Sequence, residues 1–197
     1  MKKTLLIALV TLLTAACRNE SADLSTSTAP ADTYGTSTVS ATTTGSTGGT
    51  VSALSPADKE FVIQAAQGGM AEVNAGQMAA QKGMASGVKA FGNRMVQDHG
   101  KANEELKQLA TLKGLALPTE PAEQQKHAAE HMASLSGAEF DKAYMTHMVE
   151  DHEKDVAAFD KASRESQDAD IKTWAAKTLP TLQDHLEVAK ETQRKLR

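Results

Sequence analysis

From Ser55 onward, apolar residues recur every three to four positions in four long stretches, separated by glycine, serine and proline. That period marks amphipathic helices; strands would alternate every second residue. Ser55-Pro56-Ala57-Asp58 supplies an N-cap, a proline at the first helical position and an acid at the third. A first helix is expected from Pro56 to Gln81, with its inner stripe on Phe61, Ala65, Gly69, Val73 and Gly76. A second runs from Gly87 to Lys113, striped by Val88, Phe91, Met95, Ala102, Leu106 and Leu109, with Gly114 as its stop. Pro118 and Pro121 break the chain, and a short helix follows over Ala122 to Ala133. Ser136-Gly137-Ala138-Glu139 matches a capping box and opens a third long helix that ends near Ser163. Its stripe is Phe140, Tyr144, Met148, Phe159 and Ala162. Asp168 or Asp170 caps a fourth helix that runs to Lys195 on Ile171, Trp174, Leu182, Ala189 and Leu196. Pro180 should kink it, since proline lacks the backbone donor and crowds the preceding turn.

Four such helices make an all-α four-helix bundle. The first and second are joined by a short break, as are the third and fourth, so each pair is an antiparallel hairpin. The connection between the hairpins is roughly 23 residues long, enough to travel the length of a bundle. That is the one-crossover topology of ferritin-like folds, which an up-down-up-down bundle would not need. Aromatics are only 4% of the chain, so the core must rest mostly on Ala, Leu, Val and Met.

The amino terminus reads as an address. Lys2 and Lys3 precede an apolar run, and Thr14-Ala15-Ala16 are small residues before Cys17. The run is about 13 residues, shorter than the roughly 20 a membrane-spanning helix needs, so residues 1–16 read as a secretory signal. The segment resembles a bacterial lipoprotein signal in which Cys17 is lipidated, although Thr14 stands where leucine is usual; simple export to the periplasm is the alternative. Arg18 after the cysteine resembles the sorting pattern of the outer membrane. Residues 17–54 are rich in Ser, Thr and Gly and bury too little to offset chain entropy, so they read as a disordered tether. The expected setting is therefore the periplasm, with a lipid anchor in a membrane. The net charge of −4 argues against a nucleic-acid partner, which would need a basic face. A single cysteine excludes a disulfide framework and cysteine-cluster metal sites.

One pattern carries chemistry. Met95-Val96-Gln97-Asp98-His99 recurs as Met148-Val149-Glu150-Asp151-His152, and Asp184-His185 is a shorter echo. His99 and His152 each continue a methionine stripe four residues on, and His185 lies on the stripe between Leu182 and Ala189. Glu72, four residues before Gly76, faces inward from the first helix. All four residues fall near the middle of their helices, so one carboxylate and three imidazoles can meet at one level. This is a first shell for a divalent transition metal such as Zn, Fe, Mn or Cu. Asp98, Asp151 and Asp184 lie to one side, where they can orient imidazoles on adjacent helices. The rival reading is a self-satisfied polar layer that fixes register and binds nothing. Such a chain would be a non-catalytic structural or interaction module of the envelope.

Other patterns are weaker. No Glu-x-x-His occurs, which argues against a carboxylate-bridged di-iron centre and oxidase chemistry. No nucleophile elbow, phosphate loop or His-Glu-x-x-His motif is present, so an enzyme is the reading with least support. His147 and Asp151 read as a local helical pair, and His127 and His131 as an exposed one. Met70, Met78, Met84, Met95, Met145 and Met148 read as core packing.

The stretch from Asp58 to about Glu191 resembles the bacterial domain-of-unknown-function family 4142, exported proteins often labelled outer-membrane proteins. The resemblance rests on Phe61 with Ala65-Ala66, Glu72-Val73 with Gly76, Phe91, Met95 with Asp98-His99, and Leu117-Pro118. It continues through Gly137 with Phe140-Asp141, Tyr144, Met148-Val149 with His152, and Leu179-Pro180 with His185. It implies a ferritin-like bundle and an exported protein, and it supplies no activity.

Overall fold

The computed structural model describes residues 53–196. The signal peptide, Cys17 and all but the end of the expected tether lie outside the described residues. Five helices make up the fold: α1 (Pro56–Lys82), α2 (Ser86–Leu112), α3 (Glu123–Ser134), α4 (Gly137–Glu165) and α5 (Ala169–Lys195). Each starts and stops within about two residues of the sequence reading, the usual spread at frayed ends. No helix among the described residues is long and apolar enough to cross a membrane.

The packing partners fix the topology. α1 pairs with α2 and α4 with α5, while α1 also touches α4 and α2 touches α5. At one end, Ser166 after α4 donates to Asp58 in the first turn of α1 (2.7 Å). At the other end, Asp141 in the first turn of α4 accepts from the amides of Met84 (2.9 Å) and Ala85 (2.7 Å), between α1 and α2. α1 and α4 are therefore antiparallel, and α2 and α4 run in the same direction. The crossover that carries α3 makes this possible by returning the chain along the bundle.

Those carboxylates also cap helices. Ser55 accepts from the Asp58 amide (3.0 Å), as the sequence predicts. Ala85 at the start of α2 offers no side-chain cap, and buried Asp141 holds the turn before it by accepting from the Met84 and Ala85 amides. Asp168 caps α5 by accepting from Asp170 and Ile171, and Lys113 at the end of α2 pairs with it (2.7 Å). Gly114 ends α2 with a left-handed φ of 64°. Two expectations are corrected here. Ser136 has the extended backbone of an N-cap but makes no side-chain cap bond, and Gly137 after it takes a left-handed φ of 58°. Leu54, the last residue of the expected tether, is buried in the core.

The interior has two apolar parts. One gathers Val62, Leu106, Phe159, Ile171, Trp174 and Leu182, with the Phe61 and Phe159 rings edge to face at 5.0 Å. The other gathers Val88, Phe91, Met95, Phe140, Tyr144, Met145 and Met148. The α1 stripe is rotated from the expected one: Val62, Ala66, Glu72, Ala75 and Ala79 are buried, while Phe61, Ala65 and Val73 are only partly so. The rotation follows from close approach to α2. A Cβ on Gly76 would lie 2.7 Å from the Gly92 carbonyl, and one on Gly92 the same distance from the Gly76 carbonyl. Two bare backbones touch there, so the contact is centred on small residues. Met84 is exposed, against the expectation of core packing; it sits in the turn between α1 and α2.

Candidate metal centre

Between the two apolar parts lies one polar layer. Glu72 from α1 is 3% exposed, His99 from α2 5%, and His152 from α4 and His185 from α5 0%, so all four are buried. His99 Nδ1 is 2.9 Å from Glu72 Oε2, and His152 Nδ1 is 3.5 Å from Glu72 Oε1. His152 Nε2 is 3.3 Å from His185 Nδ1, and His185 Nε2 is 2.8 Å from Asp98 Oδ2. Phe91 closes the layer on one side, its ring centroid 6.4 Å from that of His152 and 6.2 Å from that of His185.

The hydrogen-bond partners fix the tautomers. His152 Nδ1 lies 3.0 Å from the Met148 carbonyl, which can only accept, so Nδ1 carries the proton and Nε2 keeps a lone pair. His185 Nε2 faces the Asp98 carboxylate and carries the proton, so Nδ1 keeps the lone pair. Two lone pairs then face each other across 3.3 Å. That arrangement repels unless a cation lies between them. A proton is one option, but burial pushes His152 down to about 3, helped by the neighbouring histidines. Burial likewise pushes His99 and His185 down to about 4, in the latter case against the pull of Asp98. At neutral pH all three rings are uncharged. A metal ion is the other option: two nitrogens at about 2.0–2.1 Å from tetrahedral zinc stand about 3.3–3.4 Å apart.

Two further atoms lack partners. His99 Nε2 and Glu72 Oε1 are buried with no hydrogen bond. An orphaned buried acceptor costs about 1–3 kcal/mol, so its presence calls for a ligand or a function. His99, His152 and His185 each offer one nitrogen, all within 4.8 Å of one another. The buried His99, His152, His185 and Glu72 cluster could hold a metal ion.

The supporting carboxylates divide. Asp98 holds His185 and is itself held by Arg94 Nε (3.2 Å). Burial works against the Asp98 charge, but His185 and Arg94 outweigh it and keep the carboxylate below its ordinary range. Asp184 turns outward to Arg94 instead of an imidazole. Asp151 turns to His147 (3.2 Å) and Lys154 (3.4 Å). Both are corrections to the expected orienting role: all three aspartates point about 100° from the histidine that follows them, but only Asp98 meets an imidazole of the layer on a neighbouring helix, while Arg94 holds Asp184 and His147 and Lys154 hold Asp151. His127 pairs loosely with Glu130 (3.4 Å) in the open.

The sequence reading missed Asp155. Glu72, His152 and Asp155 form a second group whose ligand atoms lie within 4.8 Å of one another. Asp155 follows His152 by three, so both share one face of α4. Burial, and then the neighbouring Glu72, push its carboxyl up; burial, and then Asp151, push Glu72 up to about 8. Tyr144, also buried, has a hydroxyl without a partner.

The likenesses to other proteins agree with the fold and stop short of an activity. The sequence model of the family described as "Domain of unknown function (DUF4142)" matches residues 43–192. No curated protein matches the sequence. The structure is similar to the "Crystal structure of DUF305 fragment from Deinococcus radiodurans", with a TM-score of 0.64 at 10% identity, over 72% of this chain and 98% of that one. At that identity the likeness concerns the fold alone. By the family match, which spans most of its length, the chain belongs to the DUF4142 family.

Proposed function

We propose that this DUF4142 member is a metal-binding protein of the bacterial envelope, with a transition-metal site in the middle of a ferritin-like four-helix bundle. The observation that carries the reading is the facing pair of lone pairs on His152 Nε2 and His185 Nδ1, 3.3 Å apart, beside the unpartnered His99 Nε2. His99, His152 and His185 supply nitrogens that suit Zn, Fe, Mn or Cu. Glu72 orients His99, and Asp98 orients His185, as carboxylates do for metal-bound histidines elsewhere. The role that fits an envelope protein is binding or buffering metal, or a stress response that depends on it.

Cys17 and the Ser/Thr/Gly-rich stretch support anchoring in a membrane, the outer membrane by the Arg18 pattern, with the domain held in the periplasm on a tether. The competing reading is a structural layer with nothing bound. The His99–Glu72 and His185–Asp98 hydrogen bonds favour it, but it leaves His99 Nε2 and Glu72 Oε1 unexplained.

The test is elemental analysis of the protein purified without chelator or histidine tag. The expected result is close to one transition-metal ion per chain, lost in His99→Gln or His185→Gln with helicity intact. A clean negative after incubation with Zn, Fe, Mn and Cu would leave the layer as structural polar packing.

A further inference from the structure

Resting on the metal reading of the histidine layer, we propose a second cation position beside it. It is an oxygen-donor site for a divalent cation, formed by Glu72 Oε1 and the Asp155 carboxylate at the floor of a cavity between α1, α3 and α4.

Glu72 has two separate tasks for its two oxygens. Oε2 is taken by His99 Nδ1 at 2.9 Å. Oε1 has no hydrogen-bond partner, although the residue is almost fully buried. His152 Nδ1 stands 3.5 Å away and has its proton on the Met148 carbonyl at 3.0 Å, and the Asp155 carboxyl lies close enough to Glu72 to share a proton with it. Oε1 therefore has no N–H or hydroxyl donor, and a cation would take the place of a proton shared between the two carboxyls. Glu72 and Asp155 line one cavity of about 530 Å³, together with Gln64, Gln124, Glu150 and Asp151. Lys154, also on its wall, is mostly exposed and pairs with Asp151 at 3.4 Å, so no lysine or arginine among the described residues neutralises Glu72 or Asp155.

The cavity decides what kind of cation fits. Its volume holds several waters, at about 30 Å³ each. A hard divalent ion keeps part of its hydration and completes a carboxylate pair with water oxygens. The histidine position differs in kind: it is dry and nitrogen-rich, and it suits borderline and softer ions. His152 stands between the two positions, with Nε2 toward His185 and Nδ1 toward Glu72. The two positions therefore select different ions and share a wall.

The test loads the full chain with one equivalent of Zn²⁺ and then titrates Mn²⁺, read by calorimetry and by electron paramagnetic resonance. One bound Mn²⁺ per chain is expected. Asp155→Asn should weaken Mn²⁺ at least tenfold and leave Zn²⁺ in place. Asp151→Asn, on the same cavity wall but outside the group, should keep both. A wild-type chain that takes Zn²⁺ but no Mn²⁺ up to about 1 mM, the weak end of useful affinities, overturns the second position and leaves the histidine site standing. A chain that takes neither ion overturns both. Mn²⁺ held equally by Asp155→Asn overturns it by placing the ion on other acids. Loss of both ions in Asp155→Asn with helicity intact also overturns it, by making Asp155 a ligand of a single site.

Discussion

The apolar part around Phe140, Tyr144 and Met148 and the polar layer one turn further along α4 are built from the same helices, but differ in what completes them. In the first, side chains fill one another's space, and Phe140 and Tyr144 stack with centroids 5.9 Å apart. In the second, four buried polar side chains meet and still leave two atoms unsatisfied. The apolar part is finished when the chain folds, apart from the buried Tyr144 hydroxyl, which has no partner. On the proposed metal-binding reading, the layer of imidazole and carboxylate is finished only when a cation arrives. Folding and binding are then separable in this molecule, and substitutions can be assigned to one or the other.

The largest effect should come from the apolar part. Phe140→Ala removes a fully buried ring and should cost about 3–5 kcal/mol in chemical denaturation, by the same amount with or without chelator. A cost that shrinks on metal removal would mean that the two regions are not independent. Next, saturation of the wild-type chain with its ion should raise stability by about 2.7 kcal/mol at a hundredfold excess over the dissociation constant. His185→Gln should abolish that increment, and Phe140→Ala should keep it. Gly76→Ala tests the contact between α1 and α2, since its Cβ would meet the Gly92 carbonyl at 2.7 Å. About 1–3 kcal/mol of overpacking strain is expected. Because the helices that separate carry Glu72 and His99, ion affinity should fall as well.

Acidity tests the layer, where the buried histidines and Glu72 respond in opposite directions. The histidines, ordinarily near 6.5, are held near 4, 3 and 4 when folded. Their contribution is complete above about pH 6.5 and is lost as pH falls toward 4. Glu72 runs the other way: ordinarily 4.5 and held near 8, it favours the fold below pH 4.5, and that contribution is lost as pH rises through 8. The ion-free protein should be most stable near pH 6.5, and bound metal should flatten the alkaline limb by favouring the carboxylate. An ion-free stability that does not change between pH 5 and 8 would contradict the burial of these groups.

The sequence was most readable where one helix decides the matter. Met95 with His99, and Met148 with His152, put each histidine on its core face by spacing alone. The common level of the four polar residues followed from helix lengths that the caps and glycines set. It was least readable where two helices decide together. Phe61 and Ala65 looked like the inner face of α1 because hydropathy weights large side chains, but the glycine contact with α2 turned that face toward Val62 and Ala66. Asp155 looked like one more acid in the run Glu150, Asp151 and Glu153. Its spacing from His152 was the available signal, and only the approach of α1 gave that spacing a meaning. Asp151 and Asp184 show the reverse: adjacency to a buried histidine in sequence is not adjacency in space.

The crossover between the hairpins does more than reverse the chain. Its helix, α3, places Gln124, Gln125 and Ala128 on the wall of the cavity that ends at Glu72 and Asp155. The segment that topology requires for direction is therefore also the roof over the buried layer. Lengthening or trimming it would leave the four layer residues on their own helices and should change how quickly the layer exchanges with solvent. Access to the layer is thus open to change through a stretch that holds none of its four polar residues.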